Sequence, residues 1–199
     1  MEENFNIRDE LRGLVFLSRN MLATSLLSLA SIPQKNAREF TIEGLPQDKV
    51  EDLKSIHMNL RNGRQINFWR YSLLYFHADK ICSIITCNKQ NIVGFQLLYF
   101  RKNEWRKNII HEAFIGISPE FRGMGLSTQL RKHTVEHLKR NKKLCGISSQ
   151  VSRTDTTAIR SARKAGFMVL AETENTGRNS DSVFPLYCDL EKKRQAKAQ

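Results

Sequence analysis

The stretch "ISPEFRGMGLSTQL", Ile117 to Leu130, decides how this chain is read. It joins the apolar, β-branched run "IIHEAFIGIS" to a segment in which Leu126, Leu130, Thr134 and Leu138 recur at helical spacing with basic residues between them. Between the two stand Arg122, Gly123, Met124 and Gly125. A strand that turns tightly on glycines into a helix leaves the first amides of that helix without partners, at the positive end of its dipole. Such a turn receives phosphate well. Gly123 and Gly125 put no side chain in the way and tolerate unusual torsions, while Arg122 adds a charged donor. The chain carries neither G-x-G-x-x-G nor G-x-x-x-x-G-K-[ST], so the turn is not one of the two familiar nucleotide signatures.

Upstream, "KICSIITC", "NIVGFQLLYFR" and "IIHEAFIGIS" read as strands, and their short polar links imply an antiparallel meander. "REFTIEGL" reads as a further strand ended by Gly44. "PQDKVEDLKSIHMNLRNG" has helix-start and helix-stop signals, and "INFWRYSLLYFHAD" is taken as a second helix. Downstream come a strand "LCGISSQV", a helix "TTAIRSARKA" and two strands around "GFMVLAET" and "SVFPLYCDL". The expected fold is α+β with a mixed sheet. Residues 1–36 form an N-terminal helical extension, 37–190 the domain, and 191–199 a charged tail. In the extension Leu11, Leu14, Val15, Leu22, Leu26 and Leu29 make an apolar stripe, expected to pack on the domain or a second subunit rather than a membrane. Arg19, Asn20 and five hydroxyl residues within 14–32 argue against a transmembrane span.

At 199 residues and 40% hydrophobic content the chain can build a real core. Its net charge is +12, and because residues 1–50 hold 6 basic and 7 acidic residues, about +13 lies in the remainder. That excess suits an anionic partner such as a phosphate-bearing cofactor. Cys82, Cys87, Cys145 and Cys188 have neither C-x-x-C nor disulfide-domain spacing, which points to a reducing, cytoplasmic setting and to no metal site. The His133/His137 pair lacks the Glu of a zinc-protease helix and is expected at exposed helix positions.

"ISPEFRGMGLSTQL" resembles the acetyl-CoA-binding motif of the GNAT superfamily of N-acetyltransferases, R/Q-x-x-G-x-G/A after a strand and a proline. Arg122, Gly125 and Ser127 stand at the defining positions, Ser127 in place of Gly or Ala. "DTTAIRSARKAGF", Asp155 to Phe167, is similar to the family's later helix, with Ala158, Gly166 and Phe167 kept. The resemblance covers about residues 37–190. It implies an α/β/α layered fold with a mostly antiparallel sheet, and acetyl-CoA as co-substrate. It also implies CoA pyrophosphate held by the amides of Gly123, Met124, Gly125, Leu126 and Ser127 beside Arg122, with Asp155 and Ala158 near the pantetheine. Backbone groups near Ile115 and Ile117 would pair with the pantetheine arm. Asp155 replaces the usual Asn, and Ala162 replaces the tyrosine that in many members protonates the departing thiolate; Ser161 points about 100° away from it.

Attack by an amine needs the amine neutral, hence a base near the sheet. His111 and Glu112 are the candidates, on opposite faces of their strand. Counting by twos from Ile117 groups His111 with Ala113 and Ile115, and the family alignment favours His111. The expected function is therefore acetyl transfer to a small-molecule or peptide amine, with a homodimer possible and nucleic acid disfavoured as partner. The alternatives are an acyltransferase fed by a long-chain acyl carrier protein, and a non-catalytic module that binds acyl-CoA or nucleic acid.

Overall fold

A computed structural model describes residues 7–88, 91–170 and 183–191. The far part of the run "GFMVLAET" and the tail 192–199 lie outside the described residues. Among the described residues five α-helices surround one sheet: α1 (Ile7–Leu26), α2 (Val50–Leu60), α3 (Phe68–Ile81), α4 (Leu126–Leu138) and α5 (Thr156–Lys164). The strands are β1 (Lys35–Ala37), β2 (Phe40–Gly44), β3 (Cys82–Cys87), β4 (Asn91–Tyr99), β5 (Ile109–Ile117), β6 (Gly146–Ser152), β7 (Met168–Val169) and β8 (Val183–Asp189). Their order in space is β1-β2-β3-β4-β5-β6-β8-β7, and every pairing is antiparallel except β5 with β6. The meander β3-β4-β5 is as the short links require. The parallel step from β5 to β6 needs a crossover, which α4 supplies.

Two helix layers follow from side-chain direction. Ser83 of β3 and Gln96 of β4 hydrogen-bond Thr134, so that face of the sheet carries α4. Phe95 and Phe114 lie against His57 of α2, so α2 covers the opposite face. The helical stripe Leu126, Leu130, Thr134 and Leu138 is buried throughout. Asn67 caps α3 by accepting from the Arg70 amide at 3.0 Å, and Asp155 caps α5 by accepting from the Ala158 amide at 2.8 Å.

Three expectations change. Ahead of "REFTIEGL", where no strand was expected, a short strand β1 forms and joins β2 through Arg38 at φ 57°. The apolar stripe of α1 does not pack on the domain: Leu11, Leu14, Val15, Leu22 and Leu26 are each at least 49% exposed, and only Leu29, past the helix end, is buried. The helix docks by its other side because that side fits. A Cβ at Gly13 would sit 1.9 Å from the Trp69 indole nitrogen, and Asn20 exchanges hydrogen bonds with both backbone groups of Phe100. The histidine pair is also not on open surface. His133 is buried, and His133 and His137 bond the Pro33 and Ala30 carbonyls, tying α4 to the segment after α1. No helix among the described residues is long and apolar enough to cross a membrane.

Candidate active site

The central feature is where two parallel strands part. β5 and β6 pair from Ile109/Gly146 to Glu112/Ser149, yet β5 continues to Ile117 and β6 to Ser152. Beyond Glu112/Ser149 the β5 edge is therefore without β6, while its other edge stays paired with β4. Backbone groups on an unpaired inner edge take up an extended ligand as they would a strand.

The gap leads to the glycine turn. Gly123 and Gly125 have φ of 80° and 75°, and a Cβ at either would meet no atom within 4 Å, so the turn is an open cradle. Among the described residues the amides of Gly123 to Ser127 have no backbone partner. Arg122 donates from Nε to the Ile117 carbonyl at 3.2 Å, which holds its guanidinium at the strand end with further N–H groups to spare. Met124 is exposed, and Leu126 is buried under the turn. Ser127 Oγ lies 3.2 Å from Ser161 Oγ, which also accepts from Thr128. Ser161 thus braces the first turn of α4, while Ala162 is fully buried.

At the vertex, Glu112 is enclosed. Arg131 of α4 donates to it from Nη2 at 2.8 Å and Nε at 3.0 Å, Ser149 donates at 2.8 Å, and Gln96 completes the shell. Arg131 also reaches the Ala158 carbonyl of α5 at 3.1 Å. Burial alone would raise the Glu112 pKa; the Arg131 charge and these hydrogen bonds more than offset it, and the carboxyl is held below its usual range.

His111 lies across the sheet from Glu112. Its ring is 5.5 Å from that of Tyr99, its Nδ1 is 2.8 Å from Ser148 Oγ, and Glu104 Oε2 stands 3.9 Å away. Burial, helped by the Arg101 charge, pushes its pKa down to about 3, so the ring is neutral at neutral pH. The count by twos fails here. The β4–β5 register shifts between Leu97 and Leu98, leaving Ala113 as an extra residue. Glu112 therefore shares the α4 face with Ile115 and Ile117, which pack with Leu126 and Leu130, while His111 shares the α2 face with Phe114.

A model of the acetyltransferase (GNAT) family matches residues 50–167, more than half of the chain. This chain belongs to that family. The GNAT match spans the gap and the turn together, so the reaction is an acetyl transfer and the donor is acetyl-CoA. Solved GNAT structures share the fold. One is yncA, a putative acetyltransferase from Salmonella typhimurium with acetyl-CoA, at TM-score 0.61 and 13% identity over 77% of this chain and 95% of that one. Another is Arabidopsis thaliana Naa50 with a CoA-peptide bisubstrate analogue, at TM-score 0.58 and 18% identity over 75% and 97%. A third is the dodecameric spermidine N-acetyltransferase from Vibrio cholerae, at TM-score 0.58 and 18% identity over 79% and 97%. No curated protein matches the sequence.

The site thus gathers Ile115, Ile117 and Arg122 to Ser127 around one gap and sets His111 and Glu112 on opposite sides of its vertex. Asp155 acts as the cap of α5, and Ala158 as an anchor for Arg131. Sequence reasoning missed Arg131. Its one signal is an arginine next to Leu130 in the buried helical stripe, where a charge needs a buried partner.

Proposed function

We propose that the chain transfers acetyl from acetyl-CoA to an amine by direct attack. The pantetheine would lie along the free edge of β5 near Ile115 and Ile117, with the pyrophosphate on the amides of Gly123 to Ser127 beside Arg122. The observation that carries this reading is the parting of β5 from β6 after Glu112/Ser149 at a gap that ends on an open, positive-φ glycine turn. In it the α4 side receives the donor and the α2 side the acceptor. Of the two candidate bases, His111 is on the acceptor side and outside any tight ion pair, and we assign it the acceptor's proton, taken through Ser148 in the transition state and released to water, since a ring with a pKa of about 3 does not keep it at neutral pH. Glu112 is assigned the vertex itself: as a paired anion it holds β4, β5, β6 and α4 in register. Its bonds leave no oxygen free for a proton from the acceptor. A backbone N–H of β5 beyond the vertex supplies the donor that steadies charge on the thioester oxygen.

Calorimetric titration with acetyl-CoA tests the reading. Binding in the micromolar range, abolished by Gly125→Glu, is the expected result. Absence of binding at high micromolar acetyl-CoA would remove it. A long-chain acyl donor preferred over acetyl-CoA would move the assignment to the carrier-protein alternative.

A further inference from the structure

Resting on that reading, we infer that the acceptor is an amine carrying an anionic group, carboxylate or phosphate, close to its nitrogen, and not a polyamine. The inference comes from the α2 side of the gap. Three arginines from three separate segments converge there. Arg61, just past α2, places its guanidinium carbon 5.3 Å from the centroid of Phe114, two residues beyond the vertex on β5. Arg101, after β4, donates at 2.9 Å to Gln150, one residue beyond the vertex on β6. Arg70, in α3, lies 5.8 Å from the Tyr99 ring, which in turn stacks near His111. Gln150 follows the alternation from Ser148, the partner of His111, and so faces the same side. The two strands that bound the gap thus each have an arginine from another segment seated on them just past the vertex.

The charge at this mouth is little compensated. Among the described residues none of the three arginines is in an ion pair with a carboxylate. Glu104 is the counter-example on this side, and its nearer oxygen is buried against His111. Two imidazoles register the resulting field: after burial, Arg61 and Arg70 help to lower His57, and Arg101 helps to lower His111. A general basic surface would scatter its cations; here they stand on Phe114, Gln150 and Tyr99, around the opening where an acceptor must enter. Fixed cations at a mouth attract anionic ligands and repel polycations.

The test is acetyl-CoA turnover, followed by thiol release, over matched acceptors. One pair is a tetrapeptide with a free N-terminus and acidic residues at its second and third positions, against its amide-neutralised twin. Another is O-phosphoethanolamine against ethanolamine, and spermidine stands alone. The expected result is kcat/KM at least about tenfold higher for the anionic member of a pair, with spermidine below both neutral compounds. The peptide and phosphate arms tell which anion the mouth prefers. Arg61→Gln and Arg101→Gln should raise KM for the anionic member and leave the neutral twin unchanged, while Lys142→Gln on the distant basic surface keeps the wild-type ratio. Equal rates within both pairs, spermidine as the best acceptor, or no anionic acceptor above the acceptor-free rate overturns the inference. If acetyl-CoA binds and the anion preference is missing, only this inference fails. If acetyl-CoA does not bind, the proposed function fails first and takes the inference with it.

Discussion

The two sides of the gap between β5 and β6 are made from different materials. On the α4 side the groups offered to a ligand are main-chain amides of Gly123 to Ser127, and the side chains there stay out of the way. On the α2 side the groups offered are long side chains, Arg61, Arg70 and Arg101, carried by three segments. A site of backbone amides requires a particular turn, hence particular small residues in a row. A site of side chains requires only that distant segments meet. On the proposed reading the donor side is therefore stereotyped and the acceptor side free to vary, as suits a fold that hosts many functions.

The strongest way to break this division is at the vertex both sides share. Glu112→Ala strands the buried Arg131 charge and should lower unfolding free energy by about 3–5 kcal/mol, measured by chemical denaturation. Replacing both partners by apolar residues, Glu112→Leu with Arg131→Met, should restore most of it; if the double variant is as unstable as the single, the pair is not a closed unit. On the donor side, Gly125→Glu forces a side chain into a left-handed torsion and sets a carboxylate at the cradle. Acetyl-CoA affinity should fall more than about 100-fold in titration calorimetry, about 2.7 kcal/mol, with the circular dichroism spectrum unchanged. On the acceptor side, His111→Ala should lower kcat about 100-fold while the acetyl-CoA Kd stays within about twofold. An equal loss in both would put His111 on the donor side and erase the contrast.

Acid sharpens the same picture more gently. The His111 pKa is lowered from 6.5 to about 3 in the folded protein, so the unfolded chain takes up the proton first as pH falls. Its contribution to stability is whole above pH 6.5 and is lost between 6.5 and about 3, at up to about 1.4 kcal/mol per pH unit. His111→Asn should flatten the stability profile in that window by about this slope. The smallest effect belongs to Asp155: its loss in Asp155→Ala removes the α5 cap at a cost of about 1 kcal/mol, visible as a lower Tm with acetyl-CoA binding retained. A large loss of binding instead would return Asp155 to the donor contacts that the family resemblance implied.

What the sequence by itself determined is everything that depends on neighbours along the chain. The turn at Arg122–Ser127 was legible because a left-handed tight turn into a helix needs glycine at fixed positions, and the stripe Leu126–Leu138 because burial of one helical face repeats every turn. The antiparallel meander followed from links too short to allow any other pairing. Only the tertiary structure decided what depends on strands and helices meeting. The extra residue at Ala113 exists because β5 must match β4, and that one residue exchanged the faces on which His111 and Ile115 had been counted together. Arg131 meets Glu112 across 19 residues, and Asn20 meets Phe100 across 80; the second contact helps to turn the apolar stripe of α1 outward. A buried charge or unpaired amide finds its partner in space and leaves no periodic trace along the chain, so the vertex and the acceptor mouth had to wait for the fold.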